Sequence, residues 1–437
     1  MYKNPSPATP DPLRSPDQSQ LGIPRRSRLG KFGVLPHLAG SSFLIIGFFA
    51  RLPLAMLTVG ALTLVTTASG SYAAGGFAAG AVGLGSAIGA PLLGILADKR
   101  GQRIVLLASA ILNTLAIAGL LVMTLTAERF TGSALVLVLV ASLAVGFTCP
   151  QIGPFARVRW MALTRRSPRS ALDTALSYEG TADELTFVLG PALVGMLASL
   201  IAPWLPLALA AALTITLVSA FAVHPTVAHS DAGPAPVGGD EDGSSQGVPR
   251  ARTFGLVLLP VAGMIAIGTF FGSTQTFLTA FAGTFGAAES SGLLYAVMGS
   301  SSAIAALTVA YWSPRFRHTS RWVASAGAMA LAACALALPS SLPAMLVVLF
   351  LLGIFVGPTM VTIFSIGSAV APAHRLGTVM TFLASGIVAG TAIGSALAGT
   401  LAESGGAAGA SVVPALAAVV LFILGTLSAL ALRSTRS

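Results

Sequence analysis

Four ionisable residues interrupt otherwise apolar stretches, and they are the chain's first candidates for chemistry. Arg51 stands in Phe-Phe-Ala-Arg51-Leu-Pro, and Glu179, Asp183 and Glu184 stand together in SYEGTADELTFVLGP at 177–191. Placing one such charge in a membrane helix costs roughly 2.5–3.5 kcal/mol, so its presence points to use. Glu179 and Asp183 are four apart and share a helix face, with Glu184 to one side of it. Arg51 and Asp183 each lie about twelve residues, or roughly 18 Å, from the same end of their apolar runs. An ion pair between them therefore fits. A carboxylate so placed can also carry a proton by alternating between charged and neutral forms. Glu179 is the first choice for that role because no cation is obviously its own. Asp183 would be held ionised by Arg51, and Glu184 is the reserve. A buried ion pair with a purely structural role is the competing reading.

The elements that position these residues are legible from composition. The 437 residues are 55% hydrophobic and 9% charged, against about 25% charged in a soluble domain. Apolar runs exceed the roughly 20 residues that span a bilayer, and strand-like alternation is absent, so helices satisfy the backbone. The 48 glycines suit helices that approach closely. Twelve spans are predicted at about 39–66, 72–97, 104–126, 132–156, 171–199, 203–223, 254–283, 290–312, 321–338, 343–370, 376–401 and 411–432. With twelve spans, 22 of the 24 Lys and Arg fall on one side, leaving Arg51 and Arg129. That side is cytoplasmic by the positive-inside rule, with both termini there. The organisation expected is a disordered tail 1–36, a six-helix bundle 37–223, a flexible linker 224–252 rich in Gly, Pro, Ser and Asp, a second bundle 253–433, and a short tail 434–437. An internal repeat relates the bundles. Gly190-Pro-Ala-Leu-Val-Gly195 matches Gly394-Ser-Ala-Leu-Ala-Gly399 at an offset of 204, and Gly146-Phe-Thr-Cys-Pro150 echoes Gly353-Ile-Phe-Val-Gly-Pro358. At that offset the three carboxylates correspond to Leu383, Ile387 and Val388. The shared scaffold does not require them.

Between the second and third spans lies GILADKRGQR, residues 94–103. It resembles the loop signature of the major facilitator superfamily: Gly94, Asp98, Lys99 or Arg100, Gly101 and Arg103 fill it. With twelve spans and a 6+6 division, the resemblance covers residues 37 to 433. It implies an all-α polytopic fold of two pseudo-symmetric six-helix bundles. Asp98 is expected to accept hydrogen bonds at a helix N-terminus, where a carboxylate is favoured. The resemblance makes that helix span eleven, so that the loop latches the cytoplasmic ends of the halves. A solvated charge run that only sets topology is the alternative. The matching loop, SPRFRHTSR at 313–321, keeps its cations but lacks the Gly and Asp.

The resemblance also places a substrate cavity among spans one, four, seven and ten. Thr148 and Gln151, then Ser273, Thr274, Gln275 and Thr276, then Thr359, Thr362 and Ser365 are the neutral hydrogen-bonding groups there, and they suit an amphipathic solute better than a strongly anionic one. Gly190, Pro191 and Gly195 resemble the span-five motif of antiporters in this superfamily, with the second glycine displaced, and span four lacks the arginine found in typical drug–proton antiporters. Cys149 and Cys334 fall in different halves and read as packed thiols. The histidines lack metal-ligand spacing, and there is no phosphate-binding Gly-x-x-x-x-Gly-Lys loop. Neither a cofactor nor a metal is expected, and neither nucleic-acid binding nor catalysis is indicated. The expectation is a monomeric, proton-coupled exporter of small organic molecules in the cell membrane, its partners being the solute, protons and the bilayer. A sugar or metabolite facilitator and a non-transporting receptor are the alternatives.

Overall fold

The computed structural model describes residues 30–70, 72–127, 130, 132–228, 250–286, 291–313, 315–372 and 375–433. Twelve membrane-crossing helices are present: α1 (Ser41–Ser69), α2 (Ala74–Arg100), α3 (Gln102–Thr126), α4 (Ser133–Leu163), α5 (Ser170–Ala198), α6 (Leu205–Val223), α7 (Gly255–Gly283), α8 (Ser291–Tyr311), α9 (His318–Ala337), α10 (Leu342–Val370), α11 (Leu376–Ala402) and α12 (Ser404–Leu432). No strand occurs among the described residues. The protein is an all-α, twelve-helix membrane protein built as two six-helix bundles, as the apolar runs predict. Connections 2–3, 4–5, 8–9 and 10–11 lie on one side, termed here the basic face.

The ends depart from the expected divisions. The described residues start at Gly30, inside the stretch read as tail, with a short helix at Val34–Ala39. Lys31 anchors this segment on the opposite half: its Nζ donates to the Ala310 carbonyl at 3.0 Å and lies over the Tyr311 ring. The linker loses residues at both ends, because 224–228 fold against α6 and helix resumes at Arg250. Residues 1–29, 229–249 and 434–437 lie outside the described residues.

Two helices break near the centre of the first half. In α1, Pro53 cannot donate an amide hydrogen bond, and the turn at Ala50–Arg51 follows from it. The Arg51 amide turns to Phe48 at 3.3 Å, while its guanidinium Nη1 caps the Gly47 carbonyl at 2.8 Å. In α4, Pro150 interrupts the ladder between Phe147 and Ile152. The freed Val145 carbonyl accepts from the Asn113 side chain at 2.7 Å, and Gln151 Nε2 donates to the Cys149 carbonyl at 3.0 Å. Irregular backbone at membrane depth survives only where such partners exist.

Glycines set the helix spacing in the same way in both halves. A Cβ on Gly89 would meet the Phe147 carbonyl at 2.0 Å, and one on Gly357 would meet the Ser302 carbonyl at 2.1 Å. These are the α2–α4 and α8–α10 contacts, which the internal repeat relates. Gly190 abuts Ala55 of α1, and Gly394 abuts Thr269 of α7. Gly195, the last residue of the antiporter-like motif, faces open space.

Candidate functional site

The break in α1 aims Arg51 at α5, and the second segment of α4 sends Arg157 and Trp160 to the same place from one helix face. Arg51 Nη2 donates to Glu179 Oε2, and its Nε lies 3.0 Å from Asp183 Oδ1. Arg157 Nη2 donates to Asp183 Oδ2 at 2.6 Å, and Trp160 Nε1 donates to Glu179 Oε1 at 2.6 Å. The Arg157 guanidinium also sits 3.8 Å above the ring of Phe364, on α10 of the other half. A continuous chain thus runs Trp160–Glu179–Arg51–Asp183–Arg157–Phe364. Two cations and two carboxylates balance, which makes burial tolerable for charges that would each cost several kcal/mol alone.

The Arg51–Asp183 contact is the one the sequence suggests, but the surroundings differ from the expectation twice. Glu179 is not without a cation: Arg51 spans one helical turn and reaches both carboxylates. Arg157 and Arg159, counted with the loop cations, belong to α4 and are 1% and 0% exposed. The helix continues to Leu163, seven residues past the predicted end. Arg159 donates to Gln102 Oε1 at 3.0 Å and to the Phe221 carbonyl at 2.8 Å, tying the α2–α3 connection to the end of α6. Their signal in the sequence was Phe-Ala-Arg157-Val-Arg159-Trp160, where apolar residues continue around both arginines. Beside them His224 meets Ser42 and Thr226 at 3.1 Å each. Desolvation, then the Arg159 charge, hold its imidazole below the ordinary histidine range.

Glu184 stands apart from the quartet. Ser302 Oγ, on α8, donates to its Oε1 at 2.9 Å, so this carboxyl touches the opposite half. Thr181 Oγ1 makes a second α5–α8 bond to the Ala303 carbonyl at 3.0 Å.

Above the quartet, on the side away from the basic face, lies a small, partly enclosed cleft between the halves, of about 50 Å³. Arg51, Arg157 and Asp183 line it, with Gln151, Ser385, Phe364, Ile387 and Val388. Of the cavity residues expected from the sequence, Gln151 alone lines this cleft. Thr359 and Thr362 donate to the carbonyls of Phe355 and Pro358 at 2.7 Å, four residues back, as Ser273 does to Thr269 at 2.6 Å and Ser365 to Val361 at 2.8 Å. Thr148 faces α3, where its Oγ1 accepts from Asn113 at 3.1 Å. Thr276 likewise bonds back to Gly272 at 3.0 Å, Thr274 is buried, and Gln275 is exposed outside the cleft lining. Most of these hydroxyls satisfy themselves on their own helix, and the charged groups that line the cleft are Arg51, Arg157 and Asp183.

At the basic face the halves meet through Asp98. Its Oδ1 accepts from the Gly377 amide at 2.9 Å, and its Oδ2 accepts from the Thr378 amide at 2.7 Å and hydroxyl at 2.6 Å. Gly377 and Thr378 are in the first turn of α11, whose amides lack intrahelical acceptors. Gly94 admits the close approach: a Cβ there would lie 2.1 Å from Thr381 Oγ1. Gly101, at φ +85°, ends α2 in a conformation that side chains disfavour. Lys99, Arg100 and Arg103 are exposed on the same connection.

The family profile described as Major Facilitator Superfamily matches residues 43–385. No curated protein sequence is a significant match. Among solved structures, the chain is similar to a bacterial homologue of the iron transporter ferroportin in an outward-facing state (TM-score 0.68, 14% identity, covering 89% of this chain and 98% of that one). It is also similar to the E. coli fucose:proton symporter FucP (TM-score 0.63, 17% identity, 91% and 99%). A third likeness is to the human organic anion transporter MFSD10 (TM-score 0.62, 19% identity, 92% and 100%). Such identities speak for the fold alone. With the profile spanning both bundles, the chain belongs to the Major Facilitator Superfamily.

Proposed function

We propose that this protein is a proton-coupled secondary transporter of small organic molecules that works by alternating access. The observation that supports it is the buried Arg51–Glu179–Asp183–Arg157 quartet at the floor of a cleft between the halves. Asp183 is the proton carrier: it lines the cleft and is 16% exposed, whereas Glu179 is 1% exposed and lies outside the cleft lining. The basic face is cytoplasmic in this reading, and Asp98 holds it shut while the cleft serves the opposite side of a cell membrane. The protein acts as a monomer. The resemblance of Gly190 and Pro191 to the antiporter motif favours export. The two guanidinium groups at the cleft favour a second reading, in which solute and proton enter together.

The test is transport by purified protein in liposomes under an imposed pH gradient, across a panel of organic solutes. Gradient-driven flux is expected for the parent. Asp183→Asn should lose it while keeping solute exchange down a concentration gradient. Flux indifferent to the pH gradient in the parent would make the protein a facilitator instead, and unchanged gradient-driven flux in Asp183→Asn would remove Asp183 from the carrier role.

A further inference from the structure

The charges at the cleft say what kind of solute it takes. Arg51, Arg157 and Asp183 line it, so two cations face it with one carboxylate, because Glu179 is not part of the lining. Apart from Arg51 Nε, which lies 3.0 Å from Asp183 Oδ1, two buried donors of cleft-lining residues have no acceptor among the described residues: Nε of Arg157 and the hydroxyl of Ser385. They stand on opposite halves, on α4 and α11, and the side chains are 1% and 7% exposed. Buried donors without partners are uncommon and unfavourable. A ligand that brings oxygen acceptors would satisfy such donors. Around them the walls are apolar, formed by Ile152, Phe187, Phe364 and Ile387.

We infer that the solute is an organic monoanion with a carboxylate-type head and an apolar body, its oxygens bound by Arg157 Nε and Ser385 Oγ. This rests on the reading of the protein as a transporter of small organic molecules. Charge balance links the anion to the proton. The groups facing Asp183 are Arg51 from α1, Arg157 from α4, and Tyr178, Glu179 and Glu184 from α5 itself. The Arg51, Arg157, Glu179 and Asp183 quartet sums to zero, so an added anion leaves one buried negative charge. One proton, taken up from bulk solution onto a carboxyl oxygen of Asp183, restores neutrality. That proton frees Arg157 from Asp183, and the ligand carboxylate takes the vacated guanidinium face. Proton and anion load together, one for one.

Binding is measured without any gradient, by thermal unfolding of the full-length protein in detergent at matched ionic strength. Benzoate and 3-phenylpropionate are compared with benzamide, benzyl alcohol, benzylamine and sulfate. The two carboxylates are expected to raise the unfolding midpoint at millimolar concentration, and the amide, alcohol and amine are not. Ser385→Ala removes a hydroxyl without a partner, so its fold is kept, and it should weaken carboxylate binding about tenfold, the value of one hydrogen bond to a charge. Arg157→Gln should abolish binding, and Arg315→Gln, on an exposed connection, should leave it intact. A pH indicator in weakly buffered solution should register one proton taken up per anion bound. The inference is overturned by equal stabilisation with amide and carboxylate, by preference for the amine, by a response to sulfate alone, by no response of the parent to either carboxylate, or by unchanged binding in Ser385→Ala. Binding with no proton uptake would overturn the joint loading. Because no gradient is applied, these results stand apart from the liposome assay: gradient-driven transport of uncharged solutes would leave the proton-coupled reading intact while this inference fails.

Discussion

Replacing Arg51 with methionine removes the cation that two buried carboxylates share. Asp183 keeps Arg157 at 2.6 Å, but Glu179 keeps only the indole of Trp160 at 2.6 Å. The quartet then carries one uncompensated negative charge at a site 1% exposed. Breaking a buried pair from one side costs about 3–5 kcal/mol, and the Gly47 carbonyl loses its guanidinium partner for about 1 kcal/mol more. Adding Glu179→Gln removes the stranded charge and leaves Trp160 a carbonyl oxygen to donate to. The double variant should therefore sit only about 1–2 kcal/mol below the parent, better than Arg51→Met alone. Pairing Arg51→Met with Asp183→Asn should rescue less, because Glu179 remains charged without a cation while Arg157 loses its anion. Unfolding free energies from denaturant titration in mixed micelles give both cycles. Losses for Arg51→Met and Glu179→Gln that add within about 0.5 kcal/mol would refute the shared-cation geometry.

Asp98→Asn gives up the charge that three α11 donors share, and is expected to shift the population toward an open basic face and slow turnover with normal membrane insertion; cysteine accessibility from each side reads this, and unchanged accessibility would leave the connection as a topology signal. Gly94→Ala drives a Cβ against Thr381 Oγ1 and should loosen the same α2–α11 contact, with Thr381→Ala in the same chain restoring part of it, as followed by the same labelling. His224 should make the protein acid-sensitive: the fold holds its imidazole neutral, so as pH falls through the ordinary histidine range the unfolded chain takes up the extra proton and stability drops. His224→Gln should flatten that part of the pH–stability curve, measured by thermal midpoints.

Spans were legible because length and hydropathy are local, whereas the site depended on where helices end and which way side chains turn. The count of twelve and the division into halves survive shifts of several residues at each boundary. The same tolerance hid Arg157 and Arg159, since an arginine just past an apolar run looks like a loop cation until its partner is known. Those partners are Asp183, 26 residues on, and Gln102, 57 residues back, and neither is implied by local pattern. Residue counting put Arg51 level with Asp183, but it could not foresee that the Pro53 break lets the guanidinium reach one turn further, to Glu179. Hydroxyl content misled for a different reason: Thr359 and Thr362 look the same in sequence whether they face a cleft or their own helix. The internal repeat carried the most information about the site. It pairs Asp183 with Ile387 and Glu184 with Val388, and both apolar counterparts line the cleft opposite the charges. One half thus supplies every titratable group of the site, while the other supplies apolar wall and the single donor Ser385. In the proposed mechanism a proton on Asp183 would weaken the first half's hold on Arg157, the residue stacked on Phe364 of the second. Charge in one half and packing in the other therefore meet at one guanidinium, which is where the proposed protonation would act on both halves.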